Sequence, residues 1–218
     1  MLRSRLNEEE ATIPPASDGR VPGADPLSCV GRVRVRLFTE WLRHVYPFAR
    51  FGDKVSIHYS CDIGRQVAPR IDLGSGVFLG RDVWLNVVAG VPCSAPAIIL
   101  GDGCRIGRRC VISARNRVCL EPDVLLAPSV LIMDHNHAYS DPNLPIHAQG
   151  TTTGGKIVIG RNCWLGYGAV VLCGKGELVL GRNSIVGANA VVTQSFPPFS
   201  IVAGNPAKLI RQYATVQQ

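Results

Sequence analysis

The stretch IGRNCWLGYGAVVL, Ile159–Leu172, decides how this chain is read. Its aliphatic residues Ile159, Leu165 and Val171 stand six apart, and Gly160 and Gly166 follow the first two. A period of six matches neither the roughly 3.6 of an α-helix nor the alternation of a strand, but it fits a short strand followed by a corner. The count repeats on both sides. Leu73, Leu79 and Leu85, then Leu100, Ile106 and Ile112, then Leu120, Leu126 and Ile132 precede it, and Leu180, Val186 and Val192 follow. Three such units close a triangle, so the pattern predicts an all-β parallel β-helix with its aliphatic residues stacked in columns inside.

Between sets the step is irregular: Leu85 to Leu100, Ile112 to Leu120, Ile132 to Ile159, Val171 to Leu180. Every insertion follows a third unit, so all leave from one corner of the prism. The longest begins with DHNH, Asp134–His137. The same frame accounts for much of the cysteine content, which totals eight. Cys104, Cys110 and Cys163 lie four residues after an aliphatic one, a place held elsewhere by Val77, Val83, Val124, Val130, Ala169, Ser184 and Ala190. These thiols read as small buried side chains. No CxxC spacing argues for zinc. Cys61 follows Ile57 by the same step, which suggests an imperfect first coil from about Val55.

The ends differ from this body. Residues 1–29 are rich in Pro, Gly, Asp and Glu without periodicity and read as a flexible tail. Residues 30–50 carry Val35, Phe38, Leu42 and Val45 at helical spacing and read as a capping helix, since the open strand edge of a repeat array needs a cover. Arginines 32, 34, 36, 43 and 50 offer the alternative of a membrane-surface helix. The β-helix is expected over 51–205, with a C-terminal basic tail or helix over 206–218. A net charge of +7 favours an anionic partner without choosing one. No apolar run reaches bilayer length and the N-terminal residues lack a secretory signal, so a cytoplasmic location is expected, with peripheral contact at the inner face of the membrane as a further option.

From about Val55 to Arg211 the chain resembles the hexapeptide-repeat acyltransferases, a left-handed β-helix family that includes maltose and galactoside O-acetyltransferases. DHNHAYSDPNLPIHAQG followed by GGKIVIGRNCWLGYGAVVL is similar to the members that O-acetylate lipopolysaccharide and capsular sugars, and SIVGANAVVTQSFPPFSIVAGNPAKLIRQY to the family's ending. The resemblance implies a left-handed parallel β-helix with a protruding loop and short flanking helices. It implies acetyl-CoA as donor, a sugar or glycan hydroxyl as acceptor, no nucleic acid, no metal, and a homotrimer with sites between neighbouring prisms. It places the catalytic histidine on His137, with His135 in support, Trp164 beside the pantetheine arm, and Gly166, Tyr167, Ala188 and Thr193 along the CoA channel. Lys208 and Arg211 match basic residues near its phosphates, and Asn86 and Asp134 are the candidate acceptor contacts.

Elementary chemistry agrees with these roles. An alcohol attacks a thioester poorly unless a base with pKa near neutrality stands within hydrogen-bond reach, and imidazole fits. The tetrahedral intermediate needs N–H donors, which the glycine-rich corner Leu165-Gly166-Tyr167 is expected to present. CoA phosphates give Lys208 and Arg211 a purpose beyond solubility. The chain departs from its family at CGKGELVLG, where Lys175–Glu177 are additional and suggest a loop at the acceptor entrance, and at Gln194, where a basic residue is usual. Two rivals share the prism: a carbonic anhydrase of the gamma class, for which His147 is the one further imidazole near the HxH pair, and a non-catalytic scaffold.

Overall fold

The computed structural model describes residues 26–88 and 95–213. From Arg50 onward the chain winds through three parallel sheets, visiting the first, second and third face in turn. The first face holds Arg50–Phe51, Ile71–Leu73, Ile98–Leu100, Arg117–Leu120, Gly154–Ile159 and Lys175–Leu180. The second runs from Ser56–Ile57 through Phe78–Leu79, Arg105–Ile106, Leu125–Leu126 and Trp164–Leu165 to Ile185–Val186 and Ser200–Ala203. The third comprises Asp62–Ile63, Trp84–Val87, Val111–Ala114, Leu131–Met133, Val170–Leu172 and Val191–Val192.

The period-six residues are the core. Register stacks Leu73, Leu100, Leu120, Ile159 and Leu180 on the first face, and Leu85, Ile112, Ile132, Val171 and Val192 on the third. None of the fifteen aliphatic residues in the five sets is more than 1% exposed. Truncating one to Ala in such a column costs about 2–5 kcal/mol. The first coil starts earlier than Val55, with Phe51, Ile57 and Ile63 already six apart on successive faces.

The corners show a rule the aliphatic count does not contain. Three residues after each first or second aliphatic, the backbone turns left-handed: Gly76, Asp82, Gly103, Arg109, Asp123, Ser129, Asn162, Gly168, Asn183 and Asn189, with φ between 56° and 71°. This conformation is open to Gly and tolerated by Asn and Asp, and only Arg109 and Ser129 depart from that set. The small residue after the aliphatic one has a different cause. A Cβ on Gly160 would lie 2.5 Å from the Arg182 amide nitrogen of the next coil, so the stacking distance itself excludes a side chain.

The expected tail lies outside the described residues up to position 25, and its last residues already open helix α1, Pro26–Val45. Leu42 and Thr39 on its inward face are buried. Thr39 Oγ1 accepts from the Ile57 amide at 3.0 Å and lies 2.8 Å from the Val35 carbonyl oxygen and 3.2 Å from that of Ile57. Ser56–Ile57 is the outermost strand of its face, so α1 covers an otherwise open edge. At the other end the expected basic tail or helix is instead a strand, Lys208–Gln212, antiparallel to Ser200–Ala203. Gly204, at φ 100°, helps the chain to reverse there, and the last edge of the second face gains a partner that a helix would not supply. Residues 214–218 lie outside the described residues.

Among the described residues, the irregular connections between coils leave the third corner, as the spacing requires. The additional residues at Lys175–Glu177 do not make the expected loop. They extend the strand Lys175–Leu180, which pairs along its whole length with Gly154–Ile159. An extra stretch beside an equally long neighbour satisfies its backbone by lengthening the ladder.

Candidate active site

The loop after Ile132 is tied down at its root by one carboxylate. Asp134 is 0% exposed and accepts from three consecutive amides of the coil below: Arg115 at 2.7 Å, Asn116 at 2.8 Å and Arg117 at 2.8 Å. Arg115 and Asn116 form the tight third corner after Val111–Ala114, and Arg117 opens the strand Arg117–Leu120 that follows. The fourth donor is His135 Nδ1, 3.0 Å from Asp134 Oδ1. Burial pushes the Asp134 carboxyl upward, but the His135 hydrogen bond and the three amides outweigh it and hold the group below its ordinary range. An ionised carboxylate accepts only, so His135 carries a proton on Nδ1.

The two imidazoles of DHNH therefore part company. His135 is 7% exposed and locked against Asp134, whereas His137, two residues on, is exposed. Backbone pairing holds His137 in place: it bridges Thr151 in antiparallel fashion, flanked by Thr152 N to Asn136 O at 2.8 Å and Ala138 N to Gly150 O at 3.0 Å. Arg115 reaches up to Thr151 Oγ1, and Asn116 Nδ2 donates to the Thr153 carbonyl at 2.9 Å. At the tip, the Gln149 side chain bonds the backbone of Asp141 and Leu144. The loop is thus braced from its root to its tip.

Asp134 was expected as an acceptor contact. Its burial and four donors leave it no face toward an acceptor, and it is the anchor of the loop instead. Asn86 lies on the third face below that root and donates through Nδ2 to Ser113 Oγ at 2.9 Å. The Asp134 amide sits 3.4 Å from the Ser113 carbonyl oxygen, so Asn86 and the loop root share one column. A cleft of about 410 Å³ opens beside it, lined by Asn136, Cys173, Lys175, Glu177, Thr193 and Gln194 among others. This brings Thr193 and the additional residues next to the DHNH loop.

The remaining candidates gather elsewhere on the prism. Trp164 is exposed on the second face, and Tyr167 and Ala188 are exposed on the corner that follows it. Lys208 and Arg211 lie on the added strand at the end of that face, also exposed. Gly166 corrects an expectation. Its N–H is spent on the Val186 carbonyl at 2.8 Å, and a Cβ there would meet the Ala188 nitrogen at 2.8 Å. It is a stacking glycine, while the N–H of the next residue, Tyr167, donates to no backbone carbonyl among the described residues. Among those residues no three His, Cys, Asp or Glu side chains gather as a metal site.

Comparison with solved structures decides the family of folds. A mutant of AntD, an N-acyltransferase from Bacillus cereus in complex with dTDP and coenzyme A, superposes with a TM-score of 0.64 at 17% identity, covering 80% of this chain and 89% of that one. A hexapeptide-repeat-containing acetyltransferase from Vibrio cholerae O1 biovar eltor, complexed with acetyl coenzyme A, does so at 0.53 and 20% identity, covering 88% and 92%. The fold is the left-handed β-helix of the hexapeptide-repeat acyltransferases. In sequence, the chain is 35% identical over 123 residues to WbbJ of Escherichia coli (strain K12), which carries the name of a lipopolysaccharide biosynthesis O-acetyl transferase; the match covers 53% of this chain and 61% of WbbJ. The chain spans between 48% and 61% of the length of three curated relatives that it matches. No family model matches it. The resemblance to hexapeptide-repeat acyltransferases thus holds in fold, and the sequence matches run to proteins named as acetyltransferases.

Proposed function

We propose that this protein is an acetyl-CoA-dependent O-acetyltransferase acting on a sugar hydroxyl in surface-polysaccharide biosynthesis, with His137 as general base. The observation that carries the proposal is the division of labour at DHNH. Asp134 and His135 are spent on building the loop, and the exposed imidazole of His137 is left on a braced loop whose adjoining residue Asn136 lines the cleft. In the proposed reaction His137 takes the proton of the acceptor hydroxyl as its oxygen attacks the thioester carbonyl. The tetrahedral intermediate collapses with cleavage of the C–S bond, and the imidazolium returns the proton to the departing CoA sulfur. The Tyr167 amide is the candidate donor to the oxyanion. Because Trp164, Tyr167, Ala188, Lys208 and Arg211 follow the second face while His137 rises from the third corner, a homotrimer would bring the CoA-binding face of one copy to the DHNH loop of its neighbour. The kinship with WbbJ favours oxygen over nitrogen as the acceptor atom.

The deciding experiment incubates the full chain with acetyl-CoA and a panel of hydroxyl- and amino-bearing sugars, free, nucleotide-linked and lipid-linked, and reads added acetyl mass. His137→Ala is expected to lower kcat by about 100-fold or more at saturating acetyl-CoA, the usual range for losing a general base. His135→Ala is expected to act first on stability. If His135→Ala abolishes turnover and His137→Ala spares it, the base is misassigned. Transfer only to amines would overturn the O-acetyl reading, and a monomer by sedimentation would overturn the shared site.

A further inference from the structure

Helix α1 has two apolar faces, and the prism uses only one. Leu42 and Thr39 face inward, with Val35 and Phe38 half-buried beside them. On the far side Val30, Val33, Leu37 and Trp41, spaced three or four residues apart, form a second stripe that is 57%, 57%, 66% and 50% exposed. A helix that merely capped a β-helix would be polar there, because an outward apolar stripe gains nothing in water. Arg32, Arg34 and Arg36 are exposed and flank the stripe on both sides, and Glu40 is the one acidic residue of the helix. Arg34 lies over the Tyr59 ring at 4.3 Å, and Arg81 joins Arg32 and Arg36 around the adjoining cleft. The capping face and the apolar stripe with its arginines occupy opposite sides of one element.

We propose that this outward stripe docks on a bilayer surface rich in anionic lipids, with the four apolar side chains seated among the headgroups and the flanking arginines on lipid phosphates. The composition is that of a helix lying in the interface plane: aliphatic and Trp side chains on one stripe, arginines beside it, and low overall hydrophobicity. No described helix is long and apolar enough to cross a membrane. The excess of arginines also chooses the occupant. Two copies meeting through this stripe would bring arginine flanks together, whereas an anionic surface neutralises them.

The full chain is floated with vesicles of phosphatidylcholine alone and with about one-third phosphatidylserine. Partitioning at least about tenfold stronger onto the anionic vesicles is expected, weakened at about 0.5 M salt. Val33→Ser/Leu37→Ser and, separately, Arg32→Gln/Arg34→Gln/Arg36→Gln should each reduce it about tenfold while leaving the urea midpoint unchanged. Absence of binding, equal binding to both vesicles, or wild-type binding by both variants would overturn the proposal. So would a change of sedimenting mass in Val33→Ser/Leu37→Ser, which would make the stripe an interface between copies. None of these readouts needs acetyl transfer, so docking and catalysis can fail separately.

Discussion

Asp134→Asn removes one charge and almost no volume, which makes it the sharpest probe of the loop root. The carboxylate faces four donors, two on each oxygen: Arg115 N–H and His135 Nδ1–H on Oδ1, Asn116 N–H and Arg117 N–H on Oδ2. An amide has one acceptor oxygen. If it faces Asn116 and Arg117, the amide NH2 confronts the other pair; His135 can answer by moving its proton to Nε2 and accepting, but Arg115 N–H cannot. One buried donor is then orphaned at about 1–3 kcal/mol, and the surviving bonds lose their charge assistance. The total comes to about 2–4 kcal/mol, a large part of the roughly 5–15 kcal/mol that holds a typical domain. Urea unfolding followed by circular dichroism measures it, and amide exchange at Arg115 locates it. The pH dependence follows from the depressed pKa. The stabilisation is fully present above the unfolded value of about 3.9 and is lost as pH falls through the lower folded value, so wild type and variant should converge in acid. A loss under about 0.5 kcal/mol at neutral pH with unchanged Arg115 exchange would refute this account of the root.

On the proposal that Trp164 flanks the pantetheine arm, Trp164→Ala should raise KM for acetyl-CoA about tenfold while changing kcat much less, because such a contact acts about equally on ground and transition states; steady-state kinetics checks it, and an unchanged KM contradicts it. Cys104, Cys110 and Cys163, whose burial pushes each thiol up to about 11, should resist alkylation in the native state. At pH 8 only about one in a thousand is thiolate, and access is closed as well. Mass mapping should find the exposed Cys29 modified first and the three buried thiols only in urea.

The fold was legible because one number, the step of six, fixes three things at once: which residues point inward, how many faces there are, and at which corner insertions can leave. The left-handed corner position was also written in the sequence, as the Gly, Asn and Asp at 76, 82, 103, 123, 162, 168, 183 and 189. It passes unnoticed because its signal is backbone conformation, which hydrophobicity does not register. The ends were less legible. A basic segment such as Lys208–Gln212 has no period of its own, and its strand is dictated by the free edge of Ser200–Ala203. Edge strands take their conformation from a neighbour, and their own residues say little about it.

The site divides along the same line. Once Ile132 is stacked on Ile112, Asp134 must lie above Ala114, directly over the corner that continues as Arg115, Asn116 and Arg117. A two-residue corner turns several amides outward with no strand to receive them, so an acceptor from the next coil is needed there, and a carboxylate answers three at once. Asp134 was therefore recoverable as a structural anchor from the repeat register, and local reading missed it because the partners stand a full coil away in sequence. That assignment bears on the next one. With Asp134 saturated and His135 turned toward it, the imidazole of the pair that still faces outward is His137, which is why the general base is proposed there. On that proposal its counterparts Trp164 and Tyr167 belong to a different side of the prism, and a neighbouring copy is what would bring them to it.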